Sequence, residues 1–238
     1  MTFLISDSLP DQITRYLTEK IISGDLKSGE RIMEAHLAKK LGVSRAPIRE
    51  ALQILKKNRL VELVPRQGAR VAPLSGEYVR WLYDIILELY TIVVRQLIRD
   101  ADKDRIGLLD AILARIEEIS LAGDEQAYYN SRFEYAQAAL EVTDNLLLKE
   151  MIMDFVPGLM RIHHVALKQR VGNIGKTLVQ LRKINAAVKA RDVDKGLKAL
   201  RKLLDSDMEF ALHAIGEAQP RRAMRKTRAA MSLPPAGR

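Results

Sequence analysis

The first 75 residues carry apolar side chains in two kinds of period. Apolar residues recur every three or four positions over 9–24 and 34–41, which predicts two amphipathic helices. A third helix of about three turns is predicted after Ser44, a residue type that favours the N-cap. Apolar and polar residues then alternate over 60–64 and 69–72, on either side of a Pro-Arg-Gln-Gly turn, which predicts a β-hairpin.

Longer helical stretches follow a short linker at 73–76, and no alternating pattern recurs among them. The stretch 217–238 combines prolines with scattered arginines and no apolar period, which predicts a disordered tail. We therefore expect a mostly α protein with a winged helix-turn-helix domain at 1–75, an all-α six-helix bundle at 76–216 and a basic tail. The six helices are expected near residues 77–101, 103–120, 124–141, 144–169, 173–190 and 193–215.

Composition is that of a globular protein: of 238 residues, 47% are hydrophobic and 29% charged. No apolar run approaches the roughly 20 residues that span a bilayer, and the first residues lack a signal-peptide pattern. We therefore expect a cytoplasmic protein with no membrane partner. The chain has no Cys, which excludes disulfides and thiolate metal ligands.

The net charge of +9 is concentrated at the two ends of the chain. Residues 1–75 hold 13 Lys/Arg against 8 Asp/Glu, and residues 217–238 hold 6 against 1, which leaves the middle near neutrality. Clustered basic residues are typical of nucleic-acid modules, because phosphates attract them. Simple solubility is the alternative explanation of the same charge.

The third predicted helix carries side chains suited to reading DNA. Arg45 and Arg49 are four residues apart and so share one face, while Ile48 and Leu52 point into the core. An Arg can form two hydrogen bonds with guanine O6 and N7, at about 1–3 kcal/mol of discrimination per pair. Ser44 and the first-turn N–H groups can bind a phosphate.

The turn of the predicted hairpin is a candidate wing. Arg66, Gln67 and Arg70 supply hydrogen-bond donors around Gly68, which would allow close approach to a minor groove or its phosphates. An ordinary hydrophilic hairpin turn would have the same composition. The predicted helices that precede this hairpin favour the interpretation of its turn as a wing.

Three runs in this region resemble the GntR family of bacterial regulators: IISGDLKSGER at 21–31, LAKKLGVSRAPIREAL at 37–52 and QGARV at 67–71. The chain departs from the family at Ser28, where Pro is usual, and at Ala35, where some members place a DNA-contacting Arg. The resemblance implies a DNA face made of Ser44, Arg45, Ala46, Pro47, Arg49, Gln67 and Gly68.

The helical region carries the runs NSRFE at 130–134, NLL at 145–147 and INAAVKARD at 184–192. By these runs it resembles the FCD effector domain of the FadR subfamily, and in particular its six-helix VanR-like branch. Many such domains hold a metal with one Asp and three His. In this chain the matching positions are occupied by residues that cannot complete such a site, and adjacent His163 and His164 point about 100° apart on a helix. We therefore expect no metal and no other cofactor. The four matching residues are Asn130, Glu134, Leu181 and Leu203.

Without an ion, the resemblance implies a small apolar or amphipathic effector. Asp84, at a position where relatives often carry an Arg, points in the same direction. Alternatively, Leu181 and Leu203 fill the cavity and the domain only dimerises. The candidate effector contacts are Tyr129, Asn130, Phe133, Glu134, Met160, Arg161, His164 and Asn185.

The resemblance implies a ligand-responsive transcriptional regulator, more often a repressor, that binds a palindromic operator as a homodimer. Two other readings are a DNA-binding dimer without an effector response and an enzyme built on the helical pocket. We expect no enzymatic activity, since the sequence contains no Gly-rich phosphate loop, metal-ligand pair or nucleophile motif.

Overall fold

The computed structural model describes residues 8–65, 68–167 and 174–216. These residues form a helix-rich N-terminal unit with a small sheet, followed by a purely helical unit. The elements of the N-terminal unit are α1 (Leu9–Ile22), β1 (Arg31–Ile32), α2 (Glu34–Leu41), α3 (Arg45–Lys57), β2 (Val61–Val64) and β3 (Gly68–Val71). Those of the helical unit are α4 (Gly76–Asp100), α5 (Lys103–Ala122), α6 (Glu125–Leu140), α7 (Leu146–Leu167), α8 (Ile174–Ala190) and α9 (Val193–Ala214).

The predicted fold class is confirmed, and each predicted helix is found with ends that differ by at most two residues from expectation. Local signals explain this agreement: the Ser8 and Ser75 side chains accept hydrogen bonds from the first turns of α1 and α4, and left-handed Gly42 ends α2. Predicted helical residues 168–169 and 173, and the predicted tail at 217–238, lie outside the described residues.

The sheet contains one strand that the hydrophobic pattern did not predict. The strand order is β1-β3-β2 with antiparallel pairing, so the predicted hairpin gains β1 at its β3 edge. Strand β1 lies between the helices predicted at 9–24 and 34–41, where the sequence predicted no strand. A two-residue strand is too short to show alternation, and its pairing to Arg70 and Ala69 is fixed only by the tertiary fold.

Gly68 allows β3 to lie against β1. Its φ is +86°, and a Cβ at this position would lie 3.2 Å from the carbonyl oxygen of Ile32. Only glycine adopts this backbone conformation without strain and also fits that approach. The local reason for this glycine is therefore strand packing, whatever else the turn contacts.

Three helices and the sheet of the N-terminal unit enclose one apolar core. Ile13, Leu17 and Ile21 of α1 pack against the inner face of α3 and against the strands. Burying one such aliphatic side chain contributes roughly 1.5–3 kcal/mol. The exposed face of α3 is thereby fixed by the face that is buried.

In the helical unit, α4 and α9 run antiparallel through the centre of the bundle. Gly196, near the start of α9, packs against Val94 and Ile98, near the end of α4. The larger apolar cluster joins α4 to α5, α6 and α8, and a second cluster joins it to α7 and α9. Among the described residues, no helix has the length and apolar character of a membrane span.

The two units meet along α7. The ammonium of Lys57 lies 3.2 Å from a carboxylate oxygen of Asp154, and the guanidinium carbon of Arg59 lies 5.7 Å from the Phe155 ring centre. One turn and a half further on, the buried guanidinium of Arg161 donates a hydrogen bond of 2.8 Å to the carbonyl oxygen of Ala72. Helix α7 thus contacts both the end of α3 and the linker that leaves the sheet.

Candidate DNA-reading surface and helical cavity

Helix α3 presents one apolar and one basic face. Ile48 and Leu52 are fully buried, whereas Arg45 and Arg49 are exposed on the opposite side. Ser44 occupies the N-cap position with extended backbone, but its side chain makes no capping hydrogen bond. Its hydroxyl and the first-turn N–H groups lie at the same exposed end of the helix as the arginines.

Arg49 is held by a residue that sequence reasoning missed. Its Nε donates a hydrogen bond of 2.8 Å to Glu34 Oε2, while 64% of the Arg49 side chain remains exposed. Glu34 is the first residue of α2, so the ion pair ties the two helices together at the surface. The ion pair uses Nε, and the two terminal nitrogens of the guanidinium are the donors that form a bidentate contact with guanine.

Of the predicted wing residues, Gly68 and Arg70 belong to the described part of the chain. Arg66 and Gln67 lie outside the described residues. Arg70 bonds Glu62 through Nε at 2.7 Å and through a terminal nitrogen at 2.6 Å, directly across β2 and β3. Part of its charge is thus neutralised within the sheet, although half of its side chain is exposed. Ala46 is exposed beside Arg45, and Pro47 is half-buried.

The helical unit encloses a cavity of about 100 Å³. Its wall is built mostly from aliphatic and aromatic side chains of α4, α6, α7, α8 and α9. Leu181 and Leu203, the residues at two of the metal-ligand positions of the resembled domain, both line it. They narrow the cavity without closing it.

A buried ion pair forms the polar part of this wall. Arg132 of α6 donates to Asp207 of α9 at 2.6 Å, and their side chains are 11% and 1% exposed. Burial disfavours the charged guanidinium, but the Asp207 carboxylate outweighs that cost and holds the pKa of Arg132 above its usual value. The pair is therefore ionised, with little net charge. Neither residue was among the predicted site residues.

Further hydrogen-bond donors belong to residues that line the same cavity. The buried Nε of Arg132 and the buried hydroxyl of Tyr135 have no hydrogen-bond partner among the described residues, and both side chains line the cavity. Burial, and then the nearby Asp110 charge, raises the pKa of Tyr135, and burial raises the pKa of Tyr90 to about 12. Both phenols therefore stay protonated. The His163 ring stacks at an angle against Tyr129 and edge-on against Phe133, with ring centres 5.3 and 5.6 Å away.

Of the predicted effector contacts, the structure brings Tyr129 and Phe133 to this cavity. Phe133 also borders an adjoining cavity of about 220 Å³ together with Asn130 and Met160, and Asn130 accepts a hydrogen bond from Gln126 there. Asn130, Phe133 and Met160, all predicted effector contacts, therefore lie together at this adjoining cavity.

The remaining predicted contacts lie elsewhere. Glu134 is exposed and paired with Arg115. Arg161 is used at the contact with Ala72, and burial lowers its pKa. Asn185 donates a hydrogen bond of 2.6 Å to Asp110. His164 is half-buried on α7 and is not among the residues that line the main cavity.

The predicted absence of a metal concerns the same helices. Within the described ranges, no three His, Cys, Asp or Glu residues are grouped so that they could hold an ion. Asn130 and Glu134 are both exposed on α6, on the side away from Leu181 and Leu203. The structure therefore does not bring the four matching positions together.

A winged helix-turn-helix followed by a helical bundle with an internal cavity defines a class of protein: DNA-binding regulators with a ligand domain. Comparison with known families gives the identity within this class. Residues 9–71 match the model for bacterial regulatory proteins of the gntR family, and residues 82–206 match the FCD domain. The chain belongs to the GntR family of transcriptional regulators and carries an FCD domain.

Individual relatives agree with this assignment. The gluconate operon transcriptional repressor of Bacillus licheniformis is 30% identical over 199 residues, which cover 79% of each chain. The HTH-type transcriptional regulator YdhC of Bacillus subtilis is 36% identical over 114 residues, so the alignment spans about half of that relative, 51% of its length. Among solved structures, E. coli McbR/YncC has the same fold, with a TM-score of 0.73 at 21% identity, over 88% of this chain and 100% of that one.

Proposed function

We propose that this regulator acts as a homodimeric repressor that places two α3 helices in successive major grooves of a palindromic operator. Residues 1–75 form the DNA-binding domain in this proposal, and residues 76–216 form the effector and dimerisation domain. The observation that carries it is the outward face of α3, where Arg45 and Arg49 stand exposed at the N-terminal end of the helix. A two-fold dimer reads a site with matching symmetry, with half-sites about one helical turn apart.

Arg45 and Arg49 read bases in this proposal, and Ser44 with the first-turn N–H groups binds phosphate. Glu34 is a positioning residue, because it fixes the Nε of Arg49. Its carboxylate also keeps Arg49 from collapsing onto a phosphate, since part of the guanidinium charge is already neutralised. The remaining proposed contacts are Ala46, Pro47, Arg66, Gln67, Gly68 and Arg70.

The cavity supports a neutral, amphipathic effector. Its walls are mostly apolar, its one ion pair is internally neutral, and the Arg132 Nε and Tyr135 hydroxyl can each donate to a ligand oxygen. A carboxylate would gain little, because Asp207 repels it as Arg132 attracts it. An apolar protein cavity of about 150 Å³ holds benzene, so an aromatic effector or probe would require Leu181 and Leu203 to move and enlarge this cavity of about 100 Å³.

Helix α7 provides the route from cavity to DNA. Leu159 and His163 line the cavity, whereas Asp154, Phe155 and Arg161 hold the N-terminal unit and its linker. Pro157, inside this helix, lacks the N–H of the backbone hydrogen-bond ladder and lies between Phe155 and Leu159. A ligand that displaces the cavity-lining residues changes the placement of α3, and the coupling is reciprocal between ligand and operator.

The DNA claim is tested by fluorescence anisotropy with the DNA upstream of this gene and with a scrambled duplex of the same length, across a range of salt concentrations. We expect Arg45→Ala and Arg49→Ala to abolish the preference for the native sequence. Arg182→Ala is the matched control, because Arg182 is an exposed, paired arginine in the helical unit. Loss of affinity without loss of preference would show that the two arginines contact phosphate only.

The effector claim is tested with small probes and a cavity-filling variant. Thermal unfolding should shift upward with phenol or benzyl alcohol and not with benzoate. Ala136→Leu, which adds carbons at the cavity wall, should remove the shift but keep operator binding, while exposed Ala122→Leu should keep both. A shift with benzoate alone would contradict the neutral-ligand proposal. No shift with any probe would favour a DNA-binding dimer whose cavity is filled by its leucines.

A further inference from the structure

One face of α4 carries large apolar side chains that are open to solvent. Trp81, Ile85 and Ile92 are 58%, 41% and 44% exposed, and they share one side of the helix. Single exposed apolar residues are ordinary, but a tryptophan and two isoleucines on one side of one helix make a candidate interaction surface. Within the described parts of the chain, no element covers this face.

Charged residues are sorted by sign along the same face. Asp84 and Glu88 lie in the N-terminal half of α4, and exposed Arg95 and Arg99 lie in the C-terminal half. At about 100° per residue, these four side chains and the three apolar ones fall within an arc of roughly 100°. The guanidinium of Arg99 donates two hydrogen bonds to its neighbour Asp100, so Arg95 is the principal cation of the C-terminal, basic half of this face.

Asp205 and Glu209 of α9 add negative charge beside Asp84, in the N-terminal, acidic half of this face. Burial raises the pKa of Asp205, Arg201 opposes this, and the charges of Glu209 and Asp84 raise it further. These carboxylates therefore lie close enough to repel one another. Such a cluster is unfavourable in the isolated chain, and an opposing positive charge would relieve it.

We propose that this face is the interface between two copies of the chain, with the two α4 helices packed antiparallel about a two-fold axis between Glu88 and Ile92. This register sets Asp84 opposite the partner's Arg95 and Trp81 opposite the partner's Arg99, and the symmetry repeats each contact. A parallel arrangement would set Asp84 against its own copy. The inference rests on the proposed homodimer, and it assigns the surface, the direction of packing and the charge pairs.

Charge reversal tests the arrangement by sedimentation equilibrium and native mass spectrometry. Asp84→Arg and Arg95→Asp should each weaken dimerisation at least tenfold, because each creates two like-charge contacts. The two changes combined in one chain should restore the homodimer. A mixture of the two single variants should give heterodimers, since both cross-pairs are then opposite in charge. Glu118→Arg is the control, at an exposed position on α5.

Trp81 supplies a second readout, because it is the only tryptophan of the chain. Dilution of the native protein through its dissociation range should shift the emission to longer wavelength as Trp81 becomes hydrated. Circular dichroism verifies that each variant keeps its helices.

The outcomes separate the interface from the dimer itself. If the native protein is a dimer and both single variants dimerise equally well, the interface lies elsewhere and this inference is overturned while the homodimer stands. If the single variants dissociate but neither the double variant nor the mixture recovers, the antiparallel pairing is wrong. If the native chain is monomeric at every concentration, the inference and the proposed homodimer both fail.

Discussion

The Arg132–Asp207 ion pair offers the sharpest test of the helical unit. Its charges lie 2.6 Å apart, with side chains 11% and 1% exposed. At an effective dielectric constant of about 20, two unit charges at that separation attract by about 6 kcal/mol, and desolvation offsets part of this. Asp207→Asn leaves the guanidinium buried without a counter-charge, so we expect it to lower the free energy of unfolding by about 3–5 kcal/mol.

The assay is urea unfolding at one fixed protein concentration, followed by Trp81 fluorescence. Trp81 is the chain's only tryptophan and lies on α4, so it reports on the unit that contains the pair. Glu117→Gln is the matched control: it breaks the Arg182–Glu117 pair, whose side chains are 52% and 35% exposed. That change should cost under about 1 kcal/mol, because water screens an exposed pair.

A double variant separates charge from packing. Arg132→Met with Asp207→Leu removes both charges and keeps similar volume, so it should recover most of the stability lost in Asp207→Asn. A loss below about 1 kcal/mol for Asp207→Asn would refute the reasoning, because it would mean that water reaches the guanidinium. A double variant as unstable as the single one would assign the loss to packing instead of charge.

Three further predictions follow from packing and surface contacts. Gly196→Ala should lower the free energy of unfolding by about 1–3 kcal/mol in the same urea assay, because the added Cβ would collide with Ile98. Gly107→Ala is the control: it has open space around it and should raise the free energy of unfolding by about 0.4–1 kcal/mol. Arg161→Met should leave the Ala72 carbonyl without its hydrogen-bond donor and weaken the effect of a cavity ligand on operator affinity, which DNA titrations with and without phenol measure. If the ratio of the two affinities were unchanged, Arg161 would play no part in the coupling between cavity and DNA. Glu34→Gln should raise the affinity for scrambled DNA and lower the preference for the operator, because Arg49 loses its charged hydrogen-bond partner. Anisotropy with both duplexes measures this, and an unchanged preference would show that Glu34 does not position Arg49.

The helices could be predicted because the sequence states their signals locally. The apolar period of α1 and α3, the glycine that ends α2 and the serine before α4 each act within a few residues. Strand β1 could not be predicted in this way, since its two residues become a strand only when β3 lies beside them. Local signals therefore gave the helical framework, and tertiary contacts gave the rest.

The same division applies to the candidate sites. The shared face of Arg45 and Arg49 follows from their four-residue spacing, whereas the bond from Arg49 to Glu34 joins residues 15 positions apart and depends on how α2 packs. On α6, motif matching suggested that Asn130 and Glu134 face inward, but the structure turns Arg132 and Phe133 toward the cavity. A motif fixes the order of residues on a helix and leaves its rotation to the packing of the bundle.

Helix α7 both lines the cavity and contacts the N-terminal unit, which limits the substitutions that this helix can accept as such a regulator evolves. Leu159 lines the cavity, and Phe155, one turn earlier on the same helix, meets Arg59 at the contact with the N-terminal unit. Under the proposed coupling, a substitution that adapts this wall to a new ligand would also disturb the contact with the N-terminal unit. Ligand preference is therefore freer to evolve, or to be engineered, through the α8 and α9 walls at Leu181 and Leu203, which take no part in that contact.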